Sequence, residues 1–280
     1  MTLSPEELQT CAEAALALAR DALDIVASAT GGPASVWTKS HGADWASSTD
    51  VEIERHVRAE LAARFPDHGV VGEELGAAPA RRAGAAVWYC DPIDGTTNYV
   101  HGLPWCSFSL AVADEAGLAT GVVADLARGE VLSATRGLGA RTGSGPAACS
   151  GEEGLLGGIV CTELVGTEVW GGLVALGQAL ARRGCVTRIM GSSALSIASV
   201  GAGRAQAAVL GSAHAIDVAA AVLFAREAGA TILAAADLEQ VLLAGAEIAP
   251  IVPGGAALVA VAPGARNAVL EALGCEESPA

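Results

Sequence analysis

The sequence is short of lysine and of aromatic residues. Lys39 is the only lysine among 280 residues, and 16 basic residues stand against 31 acidic ones, so the formal net charge is -15. A chain of this charge repels polyanions, and it contains no basic run that would make a local exception, so we expect no nucleic-acid partner. Aromatic residues make up 4% of the chain and apolar residues 52%. Small aliphatic side chains must therefore fill most of the core.

The chain also lacks cysteine pairs of metal-binding spacing and a membrane-spanning run. Its seven cysteines include no CxxC motif, and an odd number within apolar stretches is typical of reduced, buried thiols. Glu6, Glu7 and Glu13 lie where a signal peptide requires a basic start and an apolar stretch. Three prolines interrupt the longest late uncharged stretch, residues 248–265. We therefore expect a soluble, cytoplasmic protein with no membrane partner.

The two halves of the chain differ in their hydrophobic pattern. In the first half, the periodicity of apolar residues predicts a helix over residues 4–28. The capping-box spacing of Thr49 and Glu52 predicts the start of a second helix, which ends at Arg64. Apolar runs between turns then predict successive strands at residues 85–90, 106–113, 117–126 and 129–136.

In the second half, apolar strands alternate with helical stretches. Strands are predicted at residues 159–161, 186–190, 207–210, 230–233 and 258–261, and helices near residues 169–183, 193–202, 216–228 and 264–273. Such alternation favours an α/β layer. The glycine- and serine-rich residues 137–151 form the expected boundary. We therefore predict an α+β half over residues 1–145, with most metal ligands, and an α/β half over residues 146–280, joined in one compact unit.

Carboxylates occur at the ends of apolar stretches in four places. These are Glu73 with Glu74, Asp91, Asp94 and Asp217. A carboxylate that apolar neighbours desolvate needs a cation or strong hydrogen-bond donors. Because lysine is nearly absent and no arginine is adjacent, a divalent cation is the expected partner. Ligands that are all oxygen atoms favour Mg²⁺ or Mn²⁺ over Zn²⁺.

The segment DPIDGTTN, residues 91–98, concentrates this chemistry. Pro92 turns the chain directly after Asp91, so that Asp91 and Asp94 can face one side. Gly95 permits close backbone approach, and the N–H groups after it can hold a phosphate. Asp-Pro and Asp-Gly pairs are also common in plain turns, but a plain turn does not require the threonines and asparagine that follow. The segment therefore predicts metal-assisted phosphoryl transfer.

Three separated motifs resemble those of the inositol monophosphatase family, which is part of a superfamily of lithium-sensitive, metal-dependent phosphatases. They are Gly72-Glu73-Glu74, residues 91–98 followed by Tyr99-Val100-His101, and Asp217-Val218-Ala219-Ala220 leading to Glu227-Ala228-Gly229. The match extends from about Lys39 to Gly229. This resemblance implies an αβαβα sandwich, with a mixed sheet in one half and an α/β layer in the other, and it suggests a homodimer.

The resemblance also implies roles for individual residues. On the order of two or three Mg²⁺ ions, with Mn²⁺ as a possible substitute, are held by Glu73, Asp91, the carbonyl of Ile93, Asp94 and Asp217. A metal-bound water is activated by the hydroxyl of Thr96, which is paired with Asp50. The implied contacts to a small phosphorylated substrate come from Asp94, Gly95, Thr96, Gly191, Ser192, Ser193 and Asp217.

Several of these roles have a simpler structural alternative. Asp50 also fits a first-turn carboxylate of a helix, which the helix dipole favours. Residues 191–193 also fit the end of a strand followed by a serine helix cap. The residues alone do not choose between Glu73 and Glu74 as the ligand, although the family pattern favours Glu73. The role of Lys39, near the metal site, stays open.

The substrate is less well defined than the reaction. Inositol-specific members of the family have a glutamate that binds substrate hydroxyls where this chain has Leu210, which cannot accept a hydrogen bond. Inositol 1-phosphate or a related cyclitol or sugar phosphate is expected first, and histidinol phosphate second. Thr97 argues mildly against histidinol phosphate, because relatives with that activity often have lysine there. A bisphosphate needs more cationic residues, and an inactive binding protein of this fold would not need the complete acidic set.

Overall fold

The computed structural model describes residues 2–29, 32–39, 45–234 and 258–274. The helices in these ranges are α1 (Pro5–Ser28), α2 (Ser48–Arg64), α3 (Thr96–Val100), α4 (Leu173–Arg182), α5 (Ser193–Gly201), α6 (Ala215–Glu227) and α7 (Arg266–Ala272). A two-stranded sheet is formed by β1 (Val36–Thr38) and β2 (Trp45–Ser47). None of the described helices combines the length and apolar character needed to cross a bilayer.

The first large sheet has eight strands. They are β3 (Gly69–Gly72), β4 (Gly76–Ala78), β5 (Val87–Asp94), β6 (Ser107–Asp114), β7 (Gly117–Asp125), β8 (Glu130–Thr135), β9 (Gly139–Thr142) and β10 (Gly145–Pro146), in the order β10-β9-β8-β7-β6-β5-β3-β4. Neighbours from β5 to β10 are antiparallel and follow the chain. Short turns join the strands from β6 to β10, whereas the connection from β5 to β6 contains α3. Only β3 pairs in parallel, with β5.

The second large sheet has five strands. They are β11 (Ile159–Glu163), β12 (Val186–Ile189), β13 (Ala207–Leu210), β14 (Thr231–Ala234) and β15 (Leu258–Val261), in the order β12-β11-β13-β15-β14. Strand β11 is parallel to both of its neighbours, and β15 is antiparallel to both of its own. Helices connect the parallel strands, as the alternating pattern predicted. The C-terminal ends of β11 and β12 therefore lie at one edge of the sheet.

Helices cover both faces of the eight-stranded sheet. Trp88 packs with α1 and α2 on one face, and the next residue, Tyr89, packs with α5 and α6 on the other, which follows from the alternation of side chains along a strand. The five-stranded sheet packs against α5 and α6 with one face and against α4 and α7 with the other. The αβαβα sandwich is thereby confirmed. The division at residues 145/146 stays a prediction, and the two sheets share the layer of α5 and α6.

Small side chains in this central layer explain why few aromatic residues are needed. Helix α6 is almost entirely buried and rich in alanine. A Cβ atom on Gly121 of β7 would lie 2.8 Å from the Cα atom of Ala220, so the helix rests directly on the sheet. Dense packing of small residues replaces the large side chains that a wider gap would require.

One local prediction is wrong. Helix α2 is capped by Ser47 rather than Thr49, because the Ser47 hydroxyl accepts the N–H groups of Thr49 and Asp50, and Asp50 completes the capping box instead of Glu52. The glycine-rich residues 137–151, where the boundary is expected, contain β9 and β10. The connection between the two large sheets begins after Pro146.

Candidate active site

A cavity of about 390 Å³ opens where the end of β5 meets the start of α5. Its lining includes most of the residues that the sequence indicated: Glu73, Asp91, Ile93, Asp94, Gly95, Thr96, Gly191, Ser193 and Asp217. Asp50 and Ser192 lie directly behind this lining, where each is fully buried and hydrogen-bonded to a lining residue. Motifs that are far apart in the chain therefore form one site.

The end of β5 explains why Asp91 and Asp94 face the same cavity. Side chains three residues apart on a regular strand point to opposite faces of a sheet. Asp91 pairs with Ser109 of β6. Asp94 pairs with Ser107, so β5 contains one extra residue at this point. Pro92 has no N–H for the ladder and favours such a bulge, which turns both carboxylates to one side.

Gly95 brings the start of α3 close to the loop before α5. Its φ angle of 90° lies in the left-handed region that favours glycine. A Cβ atom on Gly95 would lie 2.7 Å from the carbonyl oxygen of Gly191 and 3.0 Å from that of Trp105. Both restrictions require glycine at this position. The backbone before Thr96 can therefore form one wall of the cavity.

Asp91 and Asp217 have the least compensation for their charge. Burial raises the pKa of Asp91 well above its usual value, and neighbouring acidic groups, first of all Glu73, raise it further. Burial likewise raises the pKa of Asp217, followed by the charges of Asp94 and Glu73. In the described part of the chain no hydrogen bond reaches the Asp217 carboxylate. A divalent cation would remove this repulsion, so these oxygen ligands fit Mg²⁺ or Mn²⁺.

Glu73 follows β3 and pairs with the single lysine. Lys39 Nζ lies 2.8 Å from Glu73 Oε1, and it also pairs with Glu74. Burial lowers the pKa of Lys39, but the charge and hydrogen bond of Glu73 outweigh burial, so this pKa lies above its usual value. No three His, Cys, Asp or Glu side chains within the described ranges are arranged as a ready metal-binding group. The Glu73 side chain also contacts that of Asp91, whose pKa it raises, so the two carboxylates could hold a metal together.

The sequence alone did not indicate Glu54, which holds the turn after β3. Its carboxylate is fully buried and accepts the N–H of Glu74 at 2.7 Å. A Cβ atom on Gly72 would overlap this carboxylate, which explains the glycine of the first motif. The sequence feature that could have indicated Glu54 is its helical spacing from Asp50, since both residues share the buried face of α2. Glu54 therefore fixes the turn that carries Glu73 to the cavity.

Thr96 and Asp50 form the pair that the resemblance implied. Thr96 Oγ1 lies 3.2 Å from Asp50 Oδ1 and 2.8 Å from the carbonyl oxygen of Ile93. Asp50 Oδ2 accepts the hydroxyl and the N–H of Ser47 at 2.5 and 3.0 Å. Burial raises the pKa of Asp50 to about 7, against the opposing hydrogen bonds from Ser47 and Thr96. Asp50 is thus both a first-turn carboxylate of α2 and the partner of Thr96, so its two interpretations are compatible.

Asp94 differs from Asp91 because α5 supplies it with donors. Its carboxylate accepts the Ser192 hydroxyl at 2.5 Å, the Ala194 N–H at 2.8 Å and the Ser193 N–H at 3.3 Å. Burial raises the pKa of Asp94 to about 7, and the donors from Ser192 and Ala194 oppose this rise. Ser192 is fully buried, whereas Ser193 lines the cavity. Of these two serines, Ser193 is the one placed to meet a ligand.

Glu163 is a second site residue that the sequence did not indicate. It ends β11, lines the cavity, and accepts the Gly191 N–H at 2.7 Å and the Ser196 hydroxyl at 2.6 Å. Burial raises the pKa of Glu163, while the hydrogen bonds from Ser196 and Gly191 oppose the rise. Leu210 is its register partner on β13 and is fully buried. The sequence feature that could have indicated Glu163 is a single glutamate at the end of an apolar strand.

Comparisons with known proteins agree with this geometry. The model of the inositol monophosphatase family matches residues 7–267. Inositol monophosphatase 1 of Sus scrofa is 29% identical over 219 residues, which are 76% of this chain and 79% of that protein. Mycobacterium tuberculosis SuhB has a TM-score of 0.70 at 28% identity, over 95% of this chain and 96% of its own. An IMPase/NADP phosphatase complexed with Mg²⁺ and phosphate has a TM-score of 0.76 at 22% identity, over 96% of this chain and 97% of its own.

The layered α/β fold is consistent with a phosphatase, and so is a cavity in which buried carboxylates lie beside hydroxyl and amide donors. The family match then covers nearly the whole length of the sequence. The chain belongs to the inositol monophosphatase family, and the resemblance carried by its three motifs is confirmed.

Proposed function

We propose that this chain hydrolyses small phosphate monoesters with a metal-activated water and that Mg²⁺ is the metal, with Mn²⁺ as a possible substitute. The observation that carries the proposal is the 3.2 Å contact between Thr96 Oγ1 and Asp50 Oδ1 beside the uncompensated carboxylates. The proposed ligands of on the order of two or three ions are Glu73, Asp91, the carbonyl of Ile93, Asp94 and Asp217. Bound metal would supply positive charge at the phosphate and a water of lowered pKa.

The residues of the chain would orient that water and hold the ester. The Thr96 hydroxyl can donate its proton to Asp50 and accept one from the water, so the pair aligns the nucleophile and provides a base. The N–H groups of Gly95 and Thr96 would bind the phosphate oxygens, because Gly95 brings this backbone to the cavity wall. The remaining contacts to the ester would come from Ser193, Gly191 and Asp217. Ser192 would act indirectly, by donating its hydroxyl to Asp94.

We propose inositol 1-phosphate, or a related cyclitol or sugar phosphate, as the substrate. The cavity of about 390 Å³ suits a small monoester. Its lining, within the described residues, contains no lysine, arginine or histidine, so a second phosphate would find no partner. Histidinol phosphate is the alternative, since a cationic alcohol suits an acidic cavity, although Thr97 argues mildly against it. By the resemblance, we also propose a homodimer that acts in the cytoplasm.

The proposed reaction is tested by phosphate release from a panel of esters. The panel contains inositol 1-phosphate, histidinol phosphate, fructose 1,6-bisphosphate and adenosine 3′,5′-bisphosphate, each with Mg²⁺, with EDTA and with added Li⁺. We expect turnover of the monophosphates with Mg²⁺, loss in EDTA and inhibition by Li⁺. Turnover that persists in EDTA would contradict the metal mechanism. The absence of turnover with every ester would favour a binding protein that has kept the fold.

The Thr96–Asp50 pair is tested by two substitutions of Thr96. We expect Thr96→Val to lower kcat by about 100-fold or more, because the water loses the group that orients it and passes on its proton. Thr96→Ser is the matched control, since it keeps the hydroxyl and should retain most of the activity. Equal kcat values for Thr96→Val and the unchanged enzyme would remove Thr96 from the mechanism.

A further inference from the structure

Two side chains of α2 hold the turn between β3 and β4. Glu54 is fully buried and accepts the Glu74 N–H at 2.7 Å and the Leu75 N–H at 3.2 Å. Arg58 pairs with the same carboxylate, since its Nε and Nη2 atoms each lie 2.8 Å from Glu54 Oε1. Arg58 also donates to the carbonyl oxygen of Gly76, where β4 begins. Neither Glu54 nor Arg58 is among the described residues that line the cavity.

This turn carries Glu73, the proposed metal ligand. Strand β3 is parallel to β5, and Gly72 pairs with Cys90 in the register. The next residue, Glu73, donates its N–H to the Cys90 carbonyl oxygen at 3.2 Å, and its side chain contacts that of Asp91. Strand β5 therefore holds the turn at its first residue, and α2 holds it at the two residues that follow.

The charge of Arg58 stabilises this support. Glu54 has no exposed surface, and a buried carboxylate needs a counter-charge as well as hydrogen-bond donors. The Arg58 side chain is mostly buried too, so water screens the pair little. Without Arg58, the carboxylate would need water in place of the guanidinium group, and the turn would lose its fixed position.

The same face of α2 holds the proposed water-activating pair. Asp50 lies about one helical turn before Glu54, is fully buried, and accepts the Thr96 hydroxyl at 3.2 Å. One helix therefore fixes Thr96 through Asp50 and the turn of Glu73 through Glu54. A turn without this support would let Glu73 move relative to Thr96.

We propose that Glu54 and Arg58 are positioning residues that set the affinity of the site for Mg²⁺, by fixing the turn that places Glu73 beside Asp91. The proposal rests on the proposed phosphatase function, in which Glu73 and Asp91 hold metal. Partners that orient a metal ligand typically contribute about 10- to 100-fold to metal affinity, because the ligand is already in place when the ion arrives. Glu54 and Arg58 do not reach the ester, so they should affect metal binding rather than the reaction of the loaded enzyme.

The test titrates Mg²⁺ into the unchanged protein and into Arg58→Met by calorimetry. The Kd for Mg²⁺ should rise about 10-fold or more in the variant, because Glu73 is no longer held in place. The Mg²⁺ concentration for half-maximal phosphate release should rise by the same factor, while kcat at saturating Mg²⁺ stays nearly unchanged. Arg58→Lys keeps the positive charge and should recover part of the affinity. Equal Kd values for Arg58→Met and the unchanged protein would overturn the proposal.

Arg55→Met is the matched control for the loss of an arginine from α2. Arg55 is exposed on the same helix and forms no ion pair within the described ranges, so its removal should leave the Kd for Mg²⁺ unchanged. Denaturant unfolding of both variants separates positioning from mere support of the fold. If Arg58→Met lowers the free energy of unfolding while the folded variant keeps its Kd for Mg²⁺, the pair is only structural and the proposal fails.

Glu54→Gln tests the other member of the pair. The amide keeps one acceptor oxygen for the turn but loses the charge that Arg58 binds, so the Kd for Mg²⁺ should again rise about 10-fold. Because the two residues act as a unit, the combined variant should bind Mg²⁺ no more weakly than the weaker of the single variants. Losses that add in the combined variant would contradict positioning by a pair.

Calorimetry in the absence of ester keeps this proposal distinct from the phosphatase function. If the unchanged protein binds Mg²⁺ and both variants bind it more weakly, but no ester is turned over, the phosphatase function fails and the positioning role stands. If esters are turned over and the variants bind Mg²⁺ as tightly as the unchanged protein, the positioning role fails alone. If the unchanged protein binds no Mg²⁺, the metal mechanism and the positioning role both fail.

Discussion

Two pairs of carboxylates line the same cavity and are stabilised in different ways. Asp94 and Glu163 receive hydroxyl and N–H donors from α5 and the loop before it. Asp91 and Asp217 face other acids, and burial together with that repulsion raises the pKa of each well above its usual value. Donor-bound carboxylates can support the architecture by themselves, whereas uncompensated ones cost folding energy unless a cation binds. The difference marks where we propose that metal binds.

The largest effect is expected for Asp91→Asn. Phosphate release should fall about 1,000-fold or more, because several kcal/mol of charge stabilisation depends on the metal. The Asp91 carboxylate accepts the Ile93 N–H at 3.0 Å, but Glu73 and Asp217 repel its charge. Because the same change removes that repulsion, in EDTA the variant should melt a few °C above the unchanged protein. Melting curves with EDTA and with Mg²⁺ provide the measurement. Mg²⁺ should raise the melting temperature of the unchanged protein and raise that of the variant less.

Asp94→Asn sharpens the comparison, because its effect on stability should have the opposite sign. An amide has one acceptor oxygen, so donors among Ser192, Ser193 and Ala194 lose their partner, and the free energy of unfolding should fall by about 2 kcal/mol in EDTA. Denaturant unfolding of both variants under identical conditions measures the difference. Equal shifts for Asp91→Asn and Asp94→Asn would show that the two pairs of carboxylates are not stabilised differently.

The smallest effect is expected for Ser47→Ala, at the start of α2. The change removes the helix cap and one donor to Asp50, and should lower the free energy of unfolding by about 1 kcal/mol. Because Asp50 keeps its contact with Thr96, phosphate release should fall much less than in Thr96→Val. Ser48→Ala, one residue later, is the control and should have a smaller effect on stability, since Ser48 does not cap α2 and its hydroxyl accepts only an exposed hydrogen bond from the Ser35 N–H. A loss of activity as large as that of Thr96→Val would assign Ser47 a direct part in catalysis.

Much of the architecture was predictable because its signals are local. The helix predicted over residues 4–28 is α1, Pro5–Ser28, and the strand predicted at residues 207–210 is β13. The turn after Asp91 was predicted from Pro92 and is a β-bulge. The wrong prediction for the start of α2 was also local in origin. Two overlapping capping boxes start at Ser47 and Thr49, and spacing alone does not choose between them. In the folded chain the Ser47 hydroxyl accepts the N–H groups, because β2 ends there.

The sequence by itself indicated the phosphatase class, because the metal and phosphate contacts proposed for residues 91–98 depend on local turns and on residue chemistry. Only the tertiary structure decided which carboxylates receive hydrogen-bond donors from α5 and the loop before it and which face other acids. Asp94 meets the Ser192 hydroxyl across 98 positions of sequence, and Gly191 meets Glu163 across 28. Such contacts depend on how two sheets pack around α5, and packing geometry is not encoded in any single stretch of residues.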